Sequence, residues 1–95
     1  MRPFHFAFKV KDIESTRKFY VDVLGCPEGR STTHWIDFDF FGNQLSAHIS
    51  SSIPSPDYCG NVDGVSVPIP HFGCVLDIVQ FEQVQKTAYN VCFRF

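Results

Sequence analysis

His5-Phe6-Ala7-Phe8-Lys9-Val10-Lys11-Asp12-Ile13-Glu14-Ser15-Thr16-Arg17-Lys18-Phe19-Tyr20-Val21-Asp22-Val23-Leu24-Gly25 changes its hydrophobic period at a single residue. Before Asp12, Phe4, Phe6, Phe8 and Val10 alternate with His5, Ala7, Lys9 and Lys11, the period of two that gives a strand one apolar face. After Asp12, Ile13, Thr16, Phe19, Tyr20, Val23 and Leu24 recur at three- and four-residue spacing, which gathers them on one side of a helix. Asp12 suits the N-cap and Gly25 the left-handed position past the last turn. His5 then projects from the polar side of the strand.

Downstream, Cys26-Pro-Glu-Gly-Arg30 offers turn residues and room for one short extended piece. Thr33 to Phe40 alternates again, His34, Ile36, Phe38 and Phe40 against Trp35, Asp37 and Asp39. Phe41-Gly42-Asn43 signals a turn, and Gln44 to Ile49 places Leu45, Ala47 and Ile49 opposite Gln44, Ser46 and His48, so a hairpin is predicted. Residues 50–70, rich in Ser, Pro, Gly, Asp and Asn, predict a linker or long covering loop. His71-Phe-Gly-Cys-Val-Leu76 repeats the opening alternation, Asp77 to Ala88 predicts a helix with Phe81, Val84 and Ala88 on one side, and Tyr89 to Phe95 predicts a closing strand. The pattern amounts to a weak internal repeat, each half opening on a histidine-led strand and a helix. The fold class expected is α+β, with units at 1–49, 50–70 and 71–95.

Ninety-five residues support one small domain, and 11 phenylalanines supply its core with rings. A formal charge of −2 without a basic run leaves no electrostatic footprint for nucleic acid or an anionic membrane. No segment approaches transmembrane length and the first residues lack the apolar core of a secretory signal, so a cytoplasmic protein is expected. Cys26, Cys59, Cys74 and Cys92 are widely spaced, with no Cys-x-x-Cys pair, and are expected to be reduced; Cys74 reads as a small buried hydrophobe.

Parity places the candidate site. If the apolar alternates of each strand pack on helices, the opposite sheet face carries His5, Ala7, Trp35, Asp37, Asp39, Gln44, Ser46, His48, His71 and Gly73. Three of the four histidines share that face and His34 does not. Converging neutral imidazoles suit a divalent ion such as Zn, Fe, Mn or Ni. Against this stands the ordinary use of histidine on a solvated sheet face. Asp37 can orient a ligand histidine or contact a substrate, Trp35 can stack on a flat ligand, and Arg30 reads as a loop charge.

Asp12-Ile13, Phe19-Tyr20 and Val23-Leu24-Gly25, followed by Trp35-Ile-Asp-Phe-Asp-Phe-Phe-Gly-Asn43 and the strand reaching His48, resemble the glyoxalase, bleomycin-resistance and extradiol-dioxygenase superfamily, also called vicinal oxygen chelate proteins. The resemblance covers Met1 to Ile49 and, more thinly, His71 to Ala88. It implies paired βαβββ modules curled around a divalent metal, with ligands on the first and last strands of each. His5 and His71 match the first-strand ligands. Ser46 and His48 share the face of the last strand of the first module, and of the two only His48 carries a competent side chain. The remaining ligand, typically a Glu, has no counterpart here. Val91 to Phe95 reads as the start of the second module's short strand, so an incomplete second module and an open sheet edge are expected.

The function so implied is a metal-dependent small-molecule enzyme, dioxygenase-like or lactoylglutathione-lyase-like, that chelates a substrate through neighbouring oxygens, with His5, His48 and His71 on the metal and Trp35 and Asp37 toward the substrate. The alternatives are a metal-free drug-binding protein of the bleomycin-resistance type and an inactive shortened member. A homodimer is expected from the open edge.

Overall fold

The computed structural model describes residues 3–53 and 59–93. Its first half follows the sequence closely. β1 spans His5–Val10 with alternating exposure, Phe6, Phe8 and Val10 half-buried and His5, Ala7 and Lys9 exposed. The chain turns into α1, Ile13–Arg17, at Asp12, whose Oδ1 accepts the Ser15 amide at 2.7 Å while the Thr16 hydroxyl donates to the Asp12 carbonyl. The cap meets one of the donors that a helix N-terminus leaves unpaired.

From Lys18 to Val23 the helix continues as a π turn. The Leu24 amide reaches back five residues to the Phe19 carbonyl, and Gly25, at φ +73°, ends the helix as expected. The wider turn redistributes the apolar face. Tyr20 is buried and stacks on Phe38 at 4.9 Å, whereas Phe19, expected beside it in the core, is 48 % exposed.

β2 (Glu28–Ser31), β3 (Trp35–Phe40) and β4 (Asn43–Ile49) complete a four-stranded sheet in the order β1-β4-β3-β2. β1 runs parallel to β4, and β3 is antiparallel to both of its neighbours. Phe41 and Gly42 both have positive φ, 52° and 88°, so two residues close the β3–β4 hairpin in the primed geometry that matches strand twist. Asp39 Oδ1 accepts the Gly42 amide at 2.8 Å, and Asn43 Oδ1 accepts the Phe4 amide at 3.0 Å, tying β1 to the turn. Ile36, Phe38, Phe40, Leu45 and Ala47 face the helix and form the core with Tyr20 and Cys26. The α+β class and the βαβββ order of residues 5–49 are thus those implied by the sequence.

The second half departs from expectation. Residues 50–70, read as a covering loop, contain a two-stranded sheet, β5 (Cys59–Val62) with β6 (Val65–Pro68), closed by Asp63 and Gly64, both at positive φ. Asp-Gly between valines is a strong hairpin signal that composition obscured. Residues 71–76, predicted as a strand led by His71, have no regular structure. Their alternation is real but serves packing: the Phe72 ring lies 4.9 Å from Phe6, 5.5 Å from Phe8 and 5.9 Å from Phe40, so the segment straps the apolar side of the first sheet without pairing with a strand. α2 then runs Ile78–Phe93, where a strand had been expected from Tyr89. Asp77 and Gln80 cap it reciprocally, the Gln80 amide donating to Asp77 Oδ1 at 2.8 Å. Val84 and Ala88 are half-buried, whereas Phe81 is 53 % exposed. Among the described residues no helix is long and apolar enough to cross a membrane.

Candidate functional site

The side of the sheet away from α1 carries the polar alternates in register. Three cross-strand rows follow from the pairing. His5 sits beside Gln44 and Gln44 beside Asp39; Ala7 beside Ser46 and Ser46 beside Asp37; Lys9 beside His48 and His48 beside Trp35. Parity therefore assigned every one of these residues to the face on which it is found, because side chains alternate strictly along a strand.

Within this face the side chains interact. Gln44 Nε2 donates to Asp37 Oδ2 at 3.3 Å, and Ser46 Oγ lies 3.0 Å from His48 Nε2. The His48 and Trp35 rings are tilted by 31° at 6.3 Å, and the Arg30 guanidinium carbon stands 5.7 Å from the centre of the Trp35 ring. Asp37 and Ser46 are buried, at 7 % and 6 % exposure, although they sit on the open side. Gly29 permits this on the β2 side: a Cβ there would stand 3.3 Å from the Asp37 Cβ. A cleft of about 370 Å³ opens beside them, lined by Gly29, Arg30, Asp37, Asp39, Asn43 and Gln44.

The five residues singled out from the sequence are therefore only partly gathered. Trp35, Asp37 and His48 are neighbours. His5 shares their face, but His48 is paired with Lys9, four residues along β1 from His5, a separation of about 13 Å at the rise of an extended strand. Two ligand nitrogens on one ion lie only about 4 Å apart. Ser46 is nearer to His5 than His48 is, since it adjoins Ala7, but a serine hydroxyl is not a customary ligand for the metals considered. His71 lies elsewhere: its Nδ1 donates to the Pro68 carbonyl at 2.7 Å, and it lines a cleft with Phe19, Tyr20, Leu24 and Phe40 on the helix-covered side. No group of three or more His, Cys, Asp or Glu placed to hold a metal occurs among the described residues. The residues present in one chain thus do not fit the three-histidine metal centre.

Arg30, read as a loop charge, belongs to β2 and reaches the site because the β2–β3 pairing is irregular between Glu28 and Ser31. Such an irregularity re-aims side chains, and no periodicity announces it. Gln44 and Ser46 were on the right face by parity, but their bonds to Asp37 and His48 required the register.

Two thiols bear on the core rather than the face. Cys26 is buried at 2 % exposure, and burial, with Asp39 and Cys74 nearby, pushes its pKa up to about 11. Cys74 packs on the same cluster.

No protein-family model matches the chain, nor does any curated protein. Among solved structures it is similar to a glyoxalase/bleomycin resistance protein/dioxygenase from Alicyclobacillus acidocaldarius, with 34 % identity and a TM-score of 0.69 over 93 % of this chain and 61 % of that one. An integron cassette protein from the mobile metagenome of V. cholerae shares the fold at 21 % identity and TM-score 0.60, and a protein from that of V. pseudocholerae does so at 20 % and 0.59. In both cases 95 % of this chain aligns with 66 % of the other. The chain spans less than two thirds of the length of these structures. Its βαβββ sheet and its similarity to the Alicyclobacillus protein support membership of the glyoxalase/bleomycin-resistance/dioxygenase superfamily.

Proposed function

We propose that this chain is a metal-free small-molecule-binding module, and that the open side of its four-stranded sheet receives the ligand. The observation that carries this reading is the row Lys9–His48–Trp35 with Arg30 over the indole, in which a flat ring stands among polar groups on the sheet face away from α1. An indole supplies a stacking surface, while Asp37, Gln44, Ser46 and His48 supply directional hydrogen bonds. The metal-dependent enzyme reading needs imidazoles on one ion, and the spacing of His5, His48 and His71 within one chain gives that reading no support.

Trp35 is the only tryptophan in the chain, so its emission reports on this face alone. Titration with flat aromatic compounds is expected to quench or shift that emission saturably. Calorimetry on Trp35→Ala is expected to show the binding lost. A variant that binds as tightly as the parent protein would refute the placement of the ligand.

A further inference from the structure

We infer that the compound bound on this face is a planar aromatic carboxylate, its ring on Trp35 and its anionic group toward Arg30 and Lys9. The inference rests on the binding reading above and goes further by assigning the charge of the ligand. It follows from how the three cross-strand rows differ.

The middle row is low. Ala7, Ser46 and Asp37 lie side by side across β1, β4 and β3, and Gly29 of β2 approaches Asp37 closely, so the floor of the face is made of small or short side chains. On one side rises the row of Lys9, His48 and Trp35, extended by Arg30; on the other stand His5, Gln44 and Asp39. Adjacent rows are two residues apart along each strand, roughly 7 Å, which leaves a trough wide enough for one flat ring.

The fixed charges are unevenly placed. Lys9 and Arg30 both belong to the Trp35 side, and neither pairs with a carboxylate among the described residues; both ion pairs there use Arg17 instead. Among the described residues the Lys9 ammonium has only the Ser52 carbonyl, at a long 3.4 Å, and Arg30 rests on the indole face. A guanidinium on an aromatic ring keeps its edge N–H groups free to grip a carboxylate as a fork. His48 contributes a ring nitrogen already held in place by Ser46.

The opposing argument is Asp37, a carboxylate on the floor of the same trough. It is 93 % buried, however, and its Oδ2 is engaged by Gln44 from the side away from Trp35. Asp39 is a second carboxylate, exposed on the opposite wall of the trough, where it accepts the Gly42 amide at 2.8 Å; on the Trp35 side the exposed charges are the two cations, and they stand where a ring stacked on the indole would carry its substituent. Cation and indole together therefore select an aromatic anion over its neutral or cationic counterpart.

Calorimetric titration of the full chain with 2-naphthoate, 2-naphthamide and 2-naphthylmethylamine separates the possibilities, because the three probes share a ring system and differ in charge. The acid is expected to bind at least about tenfold more tightly than the amide, the ratio corresponding to one charge-assisted hydrogen bond. In Arg30→Gln that preference is expected to fall severalfold, and in the Lys9→Gln, Arg30→Gln double variant to near unity. Arg30 is exposed, so the substitution leaves the core intact. Equal binding of acid and amide, or a preference undiminished in Arg30→Gln, would overturn the anionic assignment and leave the binding reading standing. Tightest binding of the amine would overturn it in favour of Asp37 as the charged contact. Failure of all three probes to bind would remove both readings.

Discussion

Ser46 Oγ stands 3.0 Å from His48 Nε2, two residues along the same strand and on the same side of the sheet. The contact engages Nε2, one of the two ring nitrogens through either of which an imidazole can ligate, and the Trp35 ring lies beside the imidazole. His48 is in this way tied to Trp35, and its partner on β1 is Lys9, four residues from His5.

The first prediction concerns metal. Equilibrium dialysis of protein purified without a histidine tag against Zn, Ni or Mn salts is expected to give no stoichiometric site that depends on His5 and His71. Wild type and the His5→Ala, His71→Ala double variant should retain the same amount of ion at pH 7.5 and after acidification. A site present in wild type, absent from the variant and stripped by acid would restore the metal reading, since only neutral imidazole ligates.

The core depends on a small number of rings. Phe38 is 1 % exposed and stacks on Tyr20, so Phe38→Ala is expected to cost about 3–5 kcal/mol, a large part of the stability of a domain of this size. Urea denaturation followed by circular dichroism measures the change. A loss below about 1 kcal/mol would show that Tyr20 and Phe38 do not anchor the helix to the sheet.

At the β3–β4 turn, Gly42 has φ +88°, and nothing within 4 Å would obstruct a Cβ. The cost of Gly42→Ala is therefore backbone strain alone, expected at about 1 kcal/mol. Thermal melts resolve it as a fall of several degrees in a chain this short. An unchanged Tm would mean the turn does not hold the left-handed conformation.

Thiol reactivity should divide by burial. Cys26, buried and with its pKa raised to about 11, is expected to resist a disulfide reagent at pH 8 until the protein unfolds, whereas exposed Cys59 reacts at once. The raised pKa also sets a direction for alkaline stability. The folded state prefers the protonated thiol, so its contribution is complete below the unfolded pKa near 9 and is lost as pH rises toward 11. Cys26→Ala should flatten that limb of the pH–stability curve, and an unaltered limb would assign it to other groups.

The outer edge of β1 has no strand beside it in the described sheet. Pairing of that edge with a second copy is expected to give a two-fold homodimer, in keeping with the way exposed edges are covered. Sedimentation equilibrium tests this, and Ala7→Pro, which removes a backbone donor in mid-strand, should shift the population toward monomer. A protein that is monomeric at high concentration would contradict it.

Residues 5–49 were legible because their signals are local. The switch from period two to helical spacing at Asp12 placed β1 and α1, and Gly42 placed the hairpin; parity then put Trp35, Asp37, Ser46 and His48 on one face. The second half was harder to read for a physical reason. Phe72, Cys74 and Leu76 alternate like a strand, but alternation records which side a chain buries, not whether a partner strand lies next to it, and here the segment straps a finished sheet. Residues 50–70 hid a hairpin because Asp63-Gly64 was submerged in a composition typical of loops.

By itself the sequence determined the α+β class, the βαβββ order, the side of the sheet that each residue of β1, β3 and β4 faces, and the caps at Asp12 and Gly25. These depend on residues within a few positions of one another. Only the tertiary structure decided which residues of that face meet. The parallel register of β1 against β4 set His5 four positions away from the partner of His48, and the irregular pairing of β2 brought Arg30 over Trp35. Register is fixed by packing between segments some 40 residues apart, and two residues of slip would keep every side chain on its face while changing every neighbour.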